Sequence, residues 1–183
     1  MSRIDLEPDH WMDMPALARE TNQRMSHEGI LIASLDPSGK VNPMTIGWGV
    51  FGTIWGRPMF NVLVRPSRYT YECVEHTGDF TVNVQPADRG DMVDICGTVS
   101  GRDRGKMFEL GLTPLPSRSI KSPGIADCPL VFECKVVHKN DLLPSEVPSD
   151  LKAKFYPDGD FHRVYFGQIL AVSVERTVLD RLR

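Results

Sequence analysis

Nothing in this chain of 183 residues is spaced to hold a metal ion. The four cysteines, Cys73, Cys96, Cys128 and Cys134, form no C-x-x-C pair and no Cys/His set at zinc-finger spacing, so reduced thiols in a cytoplasmic protein are expected. No apolar run approaches the roughly 18 residues of a membrane span. The opening stretch, "MSRIDLEPDHWMDMP", has no apolar leader core, so neither a membrane protein nor a secreted one is expected. A broad positive field is missing too, with a net charge of −3 and a pI near 5.9, which argues against nonspecific binding to nucleic acid or anionic lipid. Any anion must be held locally. No G-x-S-x-G, no P-loop and no G-x-G-x-x-G occurs, so serine hydrolase, P-loop and Rossmann chemistries have no residues to rest on.

What is present is an ordinary globular balance, 41% hydrophobic and 25% charged, at a length that suits one domain over residues 1–183. After a polar N-terminal arm, "GILIASLDPSGKVNPMTIGWGV" reads as two strands joined at a Pro37–Gly39 turn. A turn at Gly56–Pro58 leads to a third strand, in which Phe60, Val62 and Val64 share a face. Ser67 is placed to cap a helix that runs to about Thr77 and stops at Gly78. "DFTVNV" returns to strand, Pro86 opens a helical segment to about Ile95, and "SGRDRGKMFELG" reads as a short helix. From Leu112 to Pro129, prolines and glycines imply a long surface loop with at most one short strand. Two further strands follow, the second bending at Gly167. The fold class expected is mainly β with short helices, an antiparallel barrel that is closed or nearly so.

Three stretches could carry chemistry. "RPSRYTY" gathers Arg65, Ser67, Arg68 and Thr70 at a helix start, where exposed N–H groups and planar guanidinium forks suit a phosphate; a solvated, capped helix start is the alternative. "NPMTIGWG" places Asn42, Thr45 and Trp48 in a strand whose Gly47 and Gly49 would let a flat ring approach, unless they only bend a barrel strand around a packed Trp48. "CGTVSGRDRGK" sets Ser100, Gly101 and Lys106 on a loop entering a helix, either a ligand cradle or a solvated turn, and His162 stands alone before the last strand.

Taken in order and spacing, "NPMTIGWG", "RPSRYTY", "DFTVNV", "CGTVSGRDRGK", "GLTP" and "HRVYFGQI" resemble the flavin reductase-like family with its FMN-binding split barrel, especially the flavoredoxin branch, over about Ile30 to Val174. The resemblance implies that Asn42, Met44, Thr45 and Trp48 line the flavin ring or ribityl chain. It implies that Arg65, Ser67, Arg68, Tyr69 and Thr70 hold the phosphate end, Lys106 reaches the phosphate or ribityl, and Ser100 and Gly101 add loop contacts. His162 would lie by the ring face or the nicotinamide. Gly105 stands where the branch usually has an acidic residue, and residues 144–157, "PSEVPSDLKAKFYP", look like an insertion that could act as a lid or a dimer arm.

The activity so implied is reduction of flavin by NADH or NADPH, through hydride transfer to flavin N5, in a homodimer that could serve a monooxygenase or another electron-acceptor protein. The alternative is a flavoredoxin-type carrier that keeps its FMN. In either case the protein binds, orients and tunes a cofactor that performs the hydride chemistry.

Overall fold

The structure is a computed structural model that describes residues 2–7 and 14–182. In chain order it contains β1 (Arg3–Leu6), α1 (Met14–His27), β2 (Ile30–Leu35), β3 (Val41–Ile46), β4 (Gly49–Ile54), β5 (Arg57–Val64), α2 (Tyr69–Thr77) and β6 (Asp79–Val84). These are followed by α3 (Gly90–Thr98), α4 (Lys106–Glu109), β7 (Pro114–Leu115), β8 (Gly124–Ile125), β9 (Leu130–Asp141), α5 (Ser149–Phe155), β10 (Arg163–Glu175) and α6 (Arg176–Leu182). The N-terminal arm, read only as polar and given no element, forms β1 and α1, and residues 8–13 of it lie outside the described residues. Alternation in so short a strand carries little signal, and Leu17, Thr21 and Met25 give α1 only a narrow buried stripe.

One antiparallel sheet runs β3-β2-β6-β9-β10-β5-β4, with β1 also paired to β10. The 12-residue β9 and 13-residue β10 form its spine. β6 pairs with the first half of β9, from Leu130 to Lys135, and β5 with the first half of β10, from Arg163 to Gln168. The two wings therefore leave the hairpin at opposite ends, β6-β2-β3 on one side and β5-β4 on the other, and curl toward each other. The register slips at Phe166/Gly167 and again at Ile169/Ala171, and these bulges supply the bend foreseen at Gly167. β3 and β4 are not hydrogen-bonded to one another, and the barrel stays split between them. The β4–β5 turn lies at Trp55 and Gly56, one residue earlier than the Gly56–Pro58 expectation, with φ of 54° and 69°, the positive pair that a two-residue hairpin of the right twist requires.

Phe60, Phe80, Phe132 and Tyr165 fill the barrel interior with Ile30, Ile32, Val62, Val64 and Val82. The other face of β2, Leu31 and Ala33, is also covered, by Met92 and Cys96 of α3 and by Leu112, Ile125 and Cys128 of the following segment. Burial on both faces explains why "ILIA" is apolar without alternation. Residues 112–129 hold two short strands, the β7–β8 ladder, where a loop with one short strand at most was expected, and α3 begins at Gly90, four residues later than Pro86 suggests.

Candidate functional site

A cleft of about 350 Å³ opens where the barrel is split, within the size range of small-molecule sites. β3 and the Gly47–Trp48 turn form one wall, the end of β5 and the start of α2 a second, the end of α3 with the 99–106 turn a third, and His162 closes it. All thirteen residues singled out in the sequence line this one cleft: Asn42, Met44, Thr45, Trp48, Arg65, Ser67, Arg68, Tyr69, Thr70, Ser100, Gly101, Lys106 and His162. Their convergence follows from topology, because β3, the β5–α2 junction and the α3–α4 turn all end at the open seam.

The hydrogen bonds divide these residues into two groups. Thr45 spends its hydroxyl proton on the Val93 carbonyl at 2.6 Å, and Tyr69 donates to Asp36 Oδ2 at 3.1 Å. Asn42 donates through Nδ2 to Thr70 Oγ1 at 2.9 Å, but its buried Oδ1 accepts from nothing among the described residues. That oxygen faces Gly101 so closely that a Cβ there would lie 1.9 Å away, which makes position 101 a close approach only glycine permits.

Lys106 is 3% exposed, yet its ammonium has no ion pair among the described residues. Burial pushes its pKa below the usual lysine value. Arg68 is exposed at the cleft mouth and likewise has no carboxylate partner among the described residues. It sits at the N-terminus of the nine-residue α2, whose first backbone N–H groups have no intrahelical acceptor.

Arg65 and Ser67 are engaged differently. Arg65 donates to the Phe155 carbonyl at 2.8 Å and the Asp160 carbonyl at 3.1 Å, and its guanidinium lies 4.9 Å from the Tyr156 ring centroid. Ser67 was read as the N-cap of α2; the cap position is occupied by Arg68, with no side-chain cap bond. The Ser67 hydroxyl, one position before the cap, instead donates to Asp160 Oδ2 at 2.6 Å, a short charge-assisted bond. Gly78 does end α2 in the left-handed region, φ 70°, as its sequence position suggests. Gly49, read as leaving room for a flat ring, faces protein instead: a Cβ there would lie 2.9 Å from the Asn61 carbonyl and 3.2 Å from Met25 Sδ.

His162 is 8% exposed, tilted against Trp48 at 4.9 Å between ring centroids, and its Nδ1 meets the Tyr156 hydroxyl at 2.8 Å. Burial, then the positive charge of Arg65, holds its pKa down to about 4, so the ring is neutral at pH 7. Trp48 also packs edge-on against Phe155 at 5.1 Å. Tyr156, Phe155 and Asp160 lie in the β9–β10 connection, where the sequence reading names only His162 as a site residue and takes residues 144–157 as an insertion that could act as a lid or a dimer arm. Arg102 was missed as well: it donates to the Ser67 carbonyl, pairs with Glu72 and covers the Tyr69 ring at 5.0 Å. A signal for the first group was available in the aromatic pair Phe155–Tyr156 set among charges, but nothing local says which wall such a pair would meet.

Among the described residues, no helix is long and apolar enough to cross a membrane, and no cluster of His, Cys, Asp and Glu is arranged for a metal. The four cysteines are free and buried.

The family model "Flavin reductase like domain" matches residues 23–182. A protein of Archaeoglobus fulgidus is 31% identical over 134 residues, 73% of this chain and 66% of its own length, so the chain spans just under two thirds of that relative. Among solved structures, a flavoredoxin from Methanosarcina acetivorans is similar at 26% identity with a TM-score of 0.64, covering 81% of this chain and 69% of its own. A flavoredoxin of Desulfovibrio vulgaris (Miyazaki F) shares the fold at 23% identity and a TM-score of 0.66, covering 81% and 70%. With the split antiparallel sheet and a cleft at its seam, the match over residues 23–182 establishes that this chain belongs to the flavin reductase-like family, whose split-barrel fold it has.

Proposed function

We propose that the cleft binds FMN and that the protein is a flavin oxidoreductase. The observation that carries this reading is Lys106: a buried ammonium with no carboxylate beside it is costly, and an anionic ligand in the cleft supplies the missing charge. Two further features fit the same ligand. The orphaned Asn42 Oδ1, buried against Gly101, would gain a ring or ribityl donor if the 99–106 turn shifts as the ligand enters, and the partnerless Arg68 beside the first N–H groups of α2 suits a phosphate. Lys106, Arg68, Thr70 and the α2 backbone would hold the phosphate end, with Ser100 and Gly101 along the chain and Asn42, Met44, Thr45 and Trp48 along the ring. Thr70 keeps its own hydroxyl proton to donate, since Asn42 uses only its lone pair.

Bound FMN would accept a hydride at N5 and pass electrons on, chemistry that belongs to the cofactor. The protein's share is to orient and to exclude water. NADH or NADPH is proposed as donor, reaching the ring from the side of His162 and Trp48. His162, neutral at pH 7 and bonded through Nδ1 to Tyr156, lines the cleft and would serve as an orienting group. No side chain in the cleft is needed as an acid or base.

The second reading, an electron carrier that retains FMN and serves a protein acceptor, is favoured by the likeness to two flavoredoxins. A homodimer, a single domain over 1–183, a cytoplasmic setting and a monooxygenase or other acceptor partner complete the proposal. Absorbance spectra of the purified protein with FMN, before and after anaerobic NADH and NADPH, separate the readings. Bleaching by a nicotinamide at a catalytic rate identifies a reductase; retained FMN that only a protein or dithionite reduces identifies a carrier; no flavin binding rejects both.

A further inference from the structure

Two of the residues that the sequence assigns to the anion, Arg65 and Ser67, direct their donors elsewhere. Four hydrogen bonds leave them for the β9–β10 connection: Arg65 to the carbonyls of Phe155 and Asp160, and Ser67 through both its N–H, at 3.2 Å, and its hydroxyl, at 2.6 Å, to the Asp160 carboxylate. Asp160 reaches them from a left-handed conformation, φ 56°, one of two non-glycine residues with positive φ among the described residues. A backbone cost of that kind persists only where surrounding contacts hold it. Two residues further on is His162, between Trp48 and Tyr156.

We propose that Arg65, Ser67 and Asp160 form a clamp that holds the β9–β10 connection down on the cleft and thereby sets His162 against Trp48. Asp160 is the positioning residue at its centre. The side chains of Arg65 and Ser67 thus serve the histidine wall, leaving Arg68, Lys106 and the start of α2 for an anion. Without the clamp, the connection meets the opposite wall of the cleft through aromatic contacts, Phe155 and His162 on Trp48.

The inference does not depend on which ligand the cleft takes, and it is testable on the free protein. His162 faces Arg65, Arg68 and Asp160 as charged groups and Tyr156 as its hydrogen-bond partner. The Asp160 carboxylate raises the pKa of His162, whereas burial and the two arginines lower it. Asp160→Asn therefore separates two outcomes by sign. Asparagine tolerates the left-handed conformation, so the backbone preference is retained while the charge is lost.

If the clamp holds the histidine wall, the Asn variant loosens it, His162 meets water, and its pKa climbs from about 4 toward 6.5. If Asp160 acts only as a nearby charge, its removal lowers that pKa further. The measurement is the titration of the His162 ring proton by NMR, assigned through its absence in His162→Gln, with Trp48 emission followed in parallel. A rise of one unit or more with a red-shifted Trp48 signal supports the clamp; a fall, or no change, overturns it. Ser67→Ala, which keeps the N–H but loses the hydroxyl, supplies the second variant: a smaller rise of the same sign supports the clamp and a fall overturns it.

Discussion

Two groups of polar side chains are buried in this molecule, and they are treated in opposite ways. Beneath the 112–129 segment, the buried Asp79, Thr81, Asn83 and Glu133 of β6 and β9 all have partners. The Asp79 carboxylate accepts from the backbone N–H groups of Lys121 and Ser122 at 3.0 and 3.1 Å, Asn83 Oδ1 from that of Ile125 at 2.9 Å, and Glu133 from those of Arg118 and Ser119. At the seam, the Asn42 oxygen accepts from nothing and Lys106 has no counter-charge among the described residues. The first group is a latch that keeps an irregular segment on the sheet. The second is a set of donors and acceptors still waiting for a partner. Burial alone does not mark a site, and neither does a single orphaned oxygen, since Asn61 Oδ1 and Gln85 Oε1 are also buried away from the cleft without a partner among the described residues. What marks the seam is an orphaned acceptor and an unpaired ammonium on the wall of one cavity.

The largest way to sharpen this contrast is Asp79→Ala. Two backbone N–H groups lose a charged acceptor in a buried setting, and the expected cost is about 3 kcal/mol of stability, read from urea denaturation. Flavin affinity of the folded variant should not change. A variant as stable as the parent would mean the latch is solvated and the contrast false.

Lys106→Met should act in the opposite sense. Removing an unpaired buried ammonium stabilises the ligand-free protein by roughly 1 to 2 kcal/mol, while FMN binding weakens by about 100-fold, or roughly 2.7 kcal/mol. Denaturation curves and fluorescence titration measure the two effects in one preparation. Equal losses in stability and affinity would place Lys106 with the latch, as a structural residue.

The sequence made the strands legible because alternation in "MFNVLV" and "DFTVNV" reports a buried face directly, and the ordered motifs reported which residues share the seam. What it hid has physical causes. Thr81 and Asn83 look like the solvent side of β6, yet both are buried, because the segment that covers them lies some forty residues away and its docking is written in backbone groups. Ser67 looks like a cap because capping is a local rule, yet α2 starts one residue later and the Ser67 hydroxyl proton goes to Asp160, 93 positions on. The roles of Phe155 and Asp160 were illegible for the same reason: their partners Trp48, Arg65 and Ser67 lie far back in the sequence.

A smaller effect tests His162, whose burial belongs to the seam and not to the latch. Its folded pKa near 4 lies below the 6.5 of an unfolded histidine. Between those values the unfolded chain takes up a proton that the native ring refuses, so stability falls as pH drops from 6.5 toward 4 and is fully present above 6.5. With allowance for partial solvent access, the loss is on the order of 2 kcal/mol. Chemical denaturation across that range should show a slope that His162→Gln lacks; parallel pH profiles in the two proteins would mean that His162 titrates normally.

The smallest predicted effect bears on which arginine meets the anion. Arg65 donates to two carbonyls of the β9–β10 connection, whereas Arg68 stands at the start of α2 with no carboxylate partner among the described residues. Intact protein should bind FMN at least about tenfold more tightly than riboflavin, roughly 1.4 kcal/mol, because only FMN carries the phosphate. A guanidinium at the cleft mouth is partly screened by water, so its share is modest, and Arg68→Ala should erase most of that tenfold preference while leaving riboflavin affinity near the parent value. Arg65→Ala should weaken both flavins together, since it loosens a wall that each of them would meet, and so leave their ratio intact. Isothermal titration of the two flavins against the two variants gives four affinities, from which two ratios follow. Were the ratio to collapse for Arg65→Ala and survive for Arg68→Ala, the assignments of the two arginines would exchange, and the four hydrogen bonds to the connection would have to give way when FMN arrives.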